Sequence, residues 1–297
     1  MTALGRLTRV RAALLVAAAL LGGPLTLWAP DHIPWTDEER PIFQQWHTLL
    51  ALNDSERAQA TSQLARRIRQ LPAALHKLAL AELVAGTATV GDLGQDALQE
   101  VAVTLAQALR EMHERPAEEK LVHPEGTYEL LAKFVRYEHV QISSDDPQFA
   151  AAMNKLEADD QRRLSANFTL TDLTGKSWSL RELRGKVVLV NFWATSSAFC
   201  PQEMPDLEAL DRRFGPLGLI ILGITDEDAA KVAPFVAEHR FSYPILLDAD
   251  GKVRETFAVD GVPRSFVYDR EGRLVAQAIG PRTQRQFLAM LAQAGLE

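Results

Sequence analysis

Cysteine is nearly absent from this chain: Cys200 is the single one in 297 residues. One thiol excludes an intramolecular disulfide and a Cys-rich metal centre. Histidine offers no substitute. His32, His47, His76, His113, His123, His139 and His239 are scattered, and none stands at ligand spacing from another or from Cys200. No metal and no cofactor is therefore expected. Basic clusters are lacking beyond the first residues, and the formal net charge is −7. Nucleic acid is not expected as a partner of such a chain.

The longest run without charge lies at the N-terminus. Arg6, Arg9 and Arg11 precede the apolar stretch AALLVAAALLGGPLTLWA, from Ala12 to Ala29, and no acid appears before Asp31. As a helix this run of about eighteen residues spans about 27 Å, enough for a bilayer core. Arginines before it and acids after it leave the bulk of the chain outside the cytoplasm. A cleaved secretory signal is the alternative. Its small-x-small site, Ala17-Ala18-Ala19, leaves too short an apolar core before it, and Trp28 suits an interfacial anchor. Residues 1–30 are thus expected to be a single-pass signal anchor in a bacterial-type cytoplasmic membrane. The C-terminal bulk is then periplasmic. On either alternative the body is exported into an oxidising compartment.

Residues 31–163 are rich in Ala, Leu, Glu, Gln and Arg and lack β-branched runs, which predicts an all-α domain. Asn53-Asp54-Ser55 can cap a helix that Pro72 ends. From Gln95 to Glu114, Leu98, Val101, Leu105, Ala108 and Met112 recur at threes and fours, one apolar face of a bundle helix. Tyr128 to Tyr137 repeats the pattern. No catalytic constellation lies here. A spacer, a self-association unit and a docking surface are the uses open to it.

Residues 164–297 have a different texture. FTLTDLTGKSWSL predicts a hairpin around Thr174-Gly175-Lys176. KVVLVNFW is a β-branched run of the kind found in a doubly buried strand. LGLIILGITD, PILLD, PRSFVYD and GRLVAQAIG give further strands. Helices are predicted over Glu203–Phe214, from about Asp226 to His239, and over Gln284–Ala294. After the hairpin the order is β–α–β–α–β–β–α, an α/β central mixed sheet with helices on both faces.

Three stretches of this half, LRGKVVLVNFWAT, CPQEMPDLEAL and GVPRSFVYDREGRLV, together resemble the thioredoxin-like fold of exported, membrane-tethered thiol-disulfide oxidoreductases, the TlpA/ResA-like group. The helical half lies outside the resemblance. In that group WAT is followed by Trp-Cys-x-x-Cys. Here Ser196 replaces the tryptophan, Ser197 replaces the attacking cysteine, and only the resolving cysteine remains, as Cys200. A serine hydroxyl is far too weakly acidic to stand in for a thiolate, so dithiol chemistry is out of reach. The resemblance also implies that Val262-Pro263 carries a cis-proline facing the site, whose neighbouring backbone pairs with a bound peptide. Trp193 packs beside it.

Helix register decides what one cysteine does. Proline is comfortable at the first helical position. That register makes Cys200 the N-cap, Pro201 the first helical residue, and Glu203 the acid of a capping box. The sulfur would then meet unpaired N–H groups, which lowers a thiol pKa. Glu203 would raise it or shuttle protons. A second, weaker resemblance points the same way. Peroxiredoxins of the alkyl hydroperoxide reductase/thiol-specific antioxidant family carry a hydroxyl residue three before a helix-start cysteine, as Ser197 stands to Cys200. They also carry an arginine across the site, where Arg264 stands, but this chain has Trp193 where their motif has proline. Two functions follow. One is an oxidoreductase using Cys200 alone, in thiol-disulfide exchange or peroxide reduction, restored by an external thiol reductant. The other is a redox-inactive binding or chaperone-like module, with Cys200 a buried small hydrophobe and a client protein held beside Pro263.

Overall fold

Apolar spacing alone separates this chain into a helix-rich part and a strand-rich part, and the computed structural model, which describes residues 33–114 and 125–297, divides it likewise into two compact units, Met1–Leu156 and Glu157–Glu297. The expected anchor over residues 1–30 lies outside the described residues. Among the described residues no helix is long and apolar enough to cross a membrane.

The first unit contains helices α1 (Arg40–Thr48), α2 (Asp54–Gln70), α3 (Leu75–Ala88), α4 (Gln95–His113) and α5 (Glu125–Tyr137). Asn53 caps α2 by accepting from Glu56 N at 3.0 Å. The helix stops at Gln70, before Pro72, as the sequence predicts. Helix α3 is buried at every residue from Lys77 to Ala88. A helix apolar on all sides belongs at the centre of a bundle. Its buried polar residues all find partners. Lys77 Nζ donates to the carbonyls of Arg69 and Leu71 and to Glu111. Glu82 accepts from the Thr127 hydroxyl of α5. Helix α6 (Pro147–Ser165) contains the point where the two units divide.

The second unit is built on strands β1 (Thr169–Asp172), β2 (Ser177–Ser179), β3 (Val187–Phe192), β4 (Leu219–Thr225), β5 (Ile245–Leu247), β6 (Arg264–Tyr268) and β7 (Leu274–Ala278). They form one sheet in the order β2-β1-β5-β4-β3-β6-β7. β3, β4 and β5 are parallel, and β1, β2, β6 and β7 pair antiparallel. Parallel neighbours need crossover helices, and these are α7 (Cys200–Phe214) and α8 (Ala229–His239). A five-residue helix α9 (Lys252–Thr256) precedes β6, and α10 (Gln284–Gln293) follows β7. Sequence periodicity missed α9, which is too short to show one. Helix α8 starts at Ala229 rather than Asp226, because Asp226 pairs with Arg254 and Glu227 is drawn to Thr195.

All six residues of β3 are buried, and they alternate between two cores. Val187, Leu189 and Trp193 meet α7 and α10 through Met204, Leu207, Phe287 and Leu291. Val188, Val190 and Phe192 face Phe257, Phe266 and Tyr268 on the other side. Arg163, at the end of α6, is 1% exposed; it donates to Phe257 O at 2.8 Å and to Asp160 Oδ1 at 2.8 Å. This central mixed sheet with helices is the thioredoxin-like architecture that the strand order predicts.

Candidate functional site

β3 runs into the loop Trp193–Phe199, and α7 leaves it at Cys200. The helix begins one residue earlier than the capping-box register requires. Phe199 is the N-cap, with no side-chain cap hydrogen bond, Cys200 is the first helical residue and Pro201 the second. Proline is still tolerated, since the second N–H of a helix also lacks an internal partner. Ser197 closes the turn instead: its Oγ accepts from Phe199 N at 3.3 Å and Cys200 N at 3.2 Å.

This register turns Cys200 inward. Its side chain is 0% exposed, in one core with Trp193, Met204, Leu207 and Tyr243. Burial pushes the thiol up to about 12, against the smaller pull of hydrogen bonds from Ser197 and the Ala194 backbone; the charges of Glu203 and Glu227 push it further up. The expected helix-tip thiolate is thus corrected by packing: desolvation outweighs the helix N-terminus.

Glu203, expected to reach back to the cap, is 2% exposed and points into the same core. Its Oε1 accepts from Asn191 Nδ2 at 2.7 Å and its Oε2 from Arg282 N at 3.1 Å. Asn191 Nδ2 also donates to Ser265 Oγ at 3.0 Å. Burial is the dominant force on this carboxyl and raises it to about 7, opposed by the Arg282 and Asn191 hydrogen bonds.

Arg264 does not join this group. It opposes Phe192 in the β3–β6 register, and its guanidinium lies over the Phe266 ring, 5.7 Å from the centroid. Phe192 and Phe266 belong to the core on the other face of the sheet, whereas Ser265 reaches the face of Asn191 and Glu203. Strand alternation therefore directs the arginine away from the sulfur. Val262-Pro263 is cis, as the resemblance implies. Val262 is half-buried and Pro263 buried. Trp193 is 1% exposed, and its ring lies 5.5 Å from that of Phe235 of α8, tilted by 31°.

Several contributing residues escaped the sequence reading. Asn191 interrupts an apolar strand, and a polar residue there needs partners; that signal was legible. Glu227, which accepts from Thr195 N at 2.6 Å and Thr195 Oγ1 at 3.0 Å and so ties down the loop, had none. Gly223 is a third. A Cβ there would meet Ile245 Cδ1 at 2.8 Å, Tyr243 Cε2 at 3.2 Å and Trp193 Nε1 at 3.3 Å. Gly223→Ala is expected to lower stability by about 1–3 kcal/mol through overpacking. Urea denaturation measures it, and an unchanged midpoint would contradict this packing. Among the described residues no cluster of three His, Cys, Asp or Glu side chains could hold a metal ion.

Residues 163–277 match the model of the AhpC/TSA family. The thiol-disulfide oxidoreductase ResA of Bacillus thuringiensis (strain Al Hakam) is 36% identical over 122 residues, 41% of this chain and 70% of that one. ResA of Bacillus subtilis (strain 168) is 31% identical over 119 residues, 40% and 66% of the two chains. A crystal structure of a thiol:disulfide interchange protein of the thioredoxin family from Chlorobium tepidum TLS aligns at 28% identity with a TM-score of 0.40, over 43% of this chain and 92% of that one. The family match falls on the sheet, the α7 start and the cis-proline loop, so this chain, whose pair of thiols is reduced to one, belongs to the TlpA/ResA-like family of thioredoxin-fold thiol-disulfide oxidoreductases.

Proposed function

We infer that the thioredoxin-like unit is a redox-silent member of its family, an exported and membrane-tethered module that binds an extended segment of a client protein beside Val262 and Pro263. One observation carries this reading. The position of attack holds Ser197, and the remaining thiol is sealed in a core with its pKa pushed up to about 12. Exchange needs a thiolate that a substrate sulfur can reach. Ser197 is reachable but has no sulfur, and Cys200 has sulfur that is not reachable. The loop geometry is nonetheless kept, with Glu227 holding Thr195 and the cis-proline in place.

The competing reading, catalysis by Cys200 alone, has in its favour the Ser197 hydrogen bond, which draws the thiol down. Reactivity decides between the two. A thiol raised from 9.0 to about 12 holds about a thousandfold less thiolate at neutral pH. Native protein treated with peroxide plus a sulfenate trap, or with iodoacetamide, is expected to stay unmodified by mass spectrometry while denatured protein reacts fully. Modification of the native chain at the rate of a free thiol would refute the silent reading. So would a Cys200→Ala chain that folds, keeps its client and yet loses its cellular role.

A further inference from the structure

A second feature lies at the other end of the sheet from Cys200. There a cavity of about 250 Å3 opens beside the start of β3 and is lined in part by Val188, Leu180 and Tyr268. Val188 opposes Tyr268 in the β3–β6 register, four residues from the Phe192–Arg264 pair next to the thiol loop. All three lining residues are buried, and the Tyr268 hydroxyl is already engaged, donating to Arg163 O at 2.9 Å. The floor is therefore apolar in what it offers a ligand.

The wall is different. Arg181, Arg184 and Lys186 line the same cavity and are exposed. None of the three side chains makes a hydrogen bond or ion pair among the described residues. The lining contains one carboxylate, Asp269, and it is committed elsewhere: it accepts from Arg273 N at 2.8 Å, Arg273 Nε at 2.7 Å and Glu271 N at 3.0 Å. The chain has 39 acids against 32 bases. Three cations lining one cavity with no carboxylate bonded to them are thus contrary to its overall balance; Glu182, between Arg181 and Arg184 in the chain, is exposed and outside the lining, and like charges held together repel unless an anion joins them.

Two arginine forks suit an oxyanion, bidentate and charge-assisted. Three cations favour a dianion over a monoanion. The apolar floor favours an anion carried on an apolar body, and the volume falls below that of pockets for drug-sized ligands, roughly 300 Å3 and upward. We propose that this cavity binds a small phosphate monoester, its dianionic head between Arg181, Arg184 and Lys186 and its apolar body against Leu180, Val188 and Tyr268. The proposal is independent of whether Cys200 reacts.

The test uses the full chain and calorimetric titration with phenyl phosphate, inorganic phosphate and phenol. Phenyl phosphate is expected to bind at least about tenfold more tightly than either fragment, and more weakly as salt is raised. The double variant Arg181→Ala, Arg184→Ala should lose about tenfold or more, and Lys186→Glu should do the same. All three positions are exposed, and circular dichroism checks that the variants fold. Arg212→Ala with Arg213→Ala removes the same charge from α7 and should leave binding unchanged. Sedimentation with phosphatidylcholine vesicles, with and without phosphatidic acid, separates the sources of the phosphate. Capture by the acidic vesicles that the double variant loses identifies a lipid headgroup; binding of phenyl phosphate alone identifies a free ester. Absence of binding in both arms, equal binding by the double variant, or an equal loss in the α7 control overturns the site.

Discussion

Ser197→Cys is expected to convert a chain that cannot form an internal disulfide into one that closes it almost completely under mild oxidation. The turn is already shaped for it. Ser197 Oγ lies 3.2 Å from Cys200 N, and the hydroxyl hydrogen-bonds the Cys200 thiol. A sulfur at position 197 would inherit the N–H groups of Phe199 and Cys200, now donated to Oγ at 3.3 and 3.2 Å. Those donors and the start of α7 favour a thiolate there, while Glu203 and Glu227 oppose one at Cys200. Unlike Cys200, position 197 is half-buried rather than sealed. The variant should therefore gain dithiol reductase activity towards insulin, and the natural chain should show none. Oxidation removes two hydrogens and both free thiols, read by mass and by thiol count. A four-residue loop closed this way adds about 2 kcal/mol in the chain-entropy account. Ser197→Cys with Cys200→Ala should trap glutathione as a mixed disulfide. Two thiols that stay free in folded Ser197→Cys, or no trapped glutathione in the second variant, would show that this loop is not an attack position.

The parts of the fold legible in the sequence were those set by local pattern. β-Branched runs marked β3 and β4, Thr174-Gly175-Lys176 marked the hairpin, and Asn53 and Pro72 bounded α2. The site was less legible, because its decisive facts are tertiary. Whether the thiol is exposed depends on Met204, Leu207 and Tyr243 closing over it, not on the helix dipole that a local reading invokes. Where Arg264 points follows from parity: it shares a face with Phe266 and opposes that of Ser265. That parity was in the sequence, but relating it to Asn191 and Glu203 required the β3–β6 register, a contact between residues more than seventy positions apart. The spacing of Glu203 from Cys200 predicts a capping box, yet a buried strand amide on Asn191 competes for the same carboxyl and wins it.

That capture of Glu203 sets an unusual pH dependence. Its carboxyl titrates at about 7 in the folded chain against 4.5 for the free group, with burial as the leading cause. Between these values the folded state binds the proton and the unfolded state does not, so stability falls as pH rises. The contribution is fully present below about 4.5 and gone above about 7; a shift of this size corresponds to about 3 kcal/mol. Asp172, Asp269 and Glu227 run the other way. Each is held below its usual range by its hydrogen bonds in spite of desolvation, and each costs stability when acid protonates it. The thioredoxin-like unit should thus be most stable near pH 5, not at neutrality. Glu82 in the helical unit is also raised to about 7, chiefly by burial, and burial raises Asp211 of α7 as well, so among the described residues Glu203 is not the sole source of this slope. Single variants separate them. Glu203→Gln should flatten the fall between pH 5 and 7 by about 2 kcal/mol, the rest of the shift being lost above pH 7, while lowering stability at pH 5 by about 1–3 kcal/mol, since an amide N–H would then face Asn191 Nδ2 or Arg282 N. Glu82→Gln should remove a separate share of the slope. Urea midpoints at pH 5, 6 and 7 measure both. A Glu203→Gln chain that keeps the natural slope would mean that this carboxyl is ionised in its core at neutral pH, and the polar cluster behind Cys200 would then have to hold a charge rather than a proton.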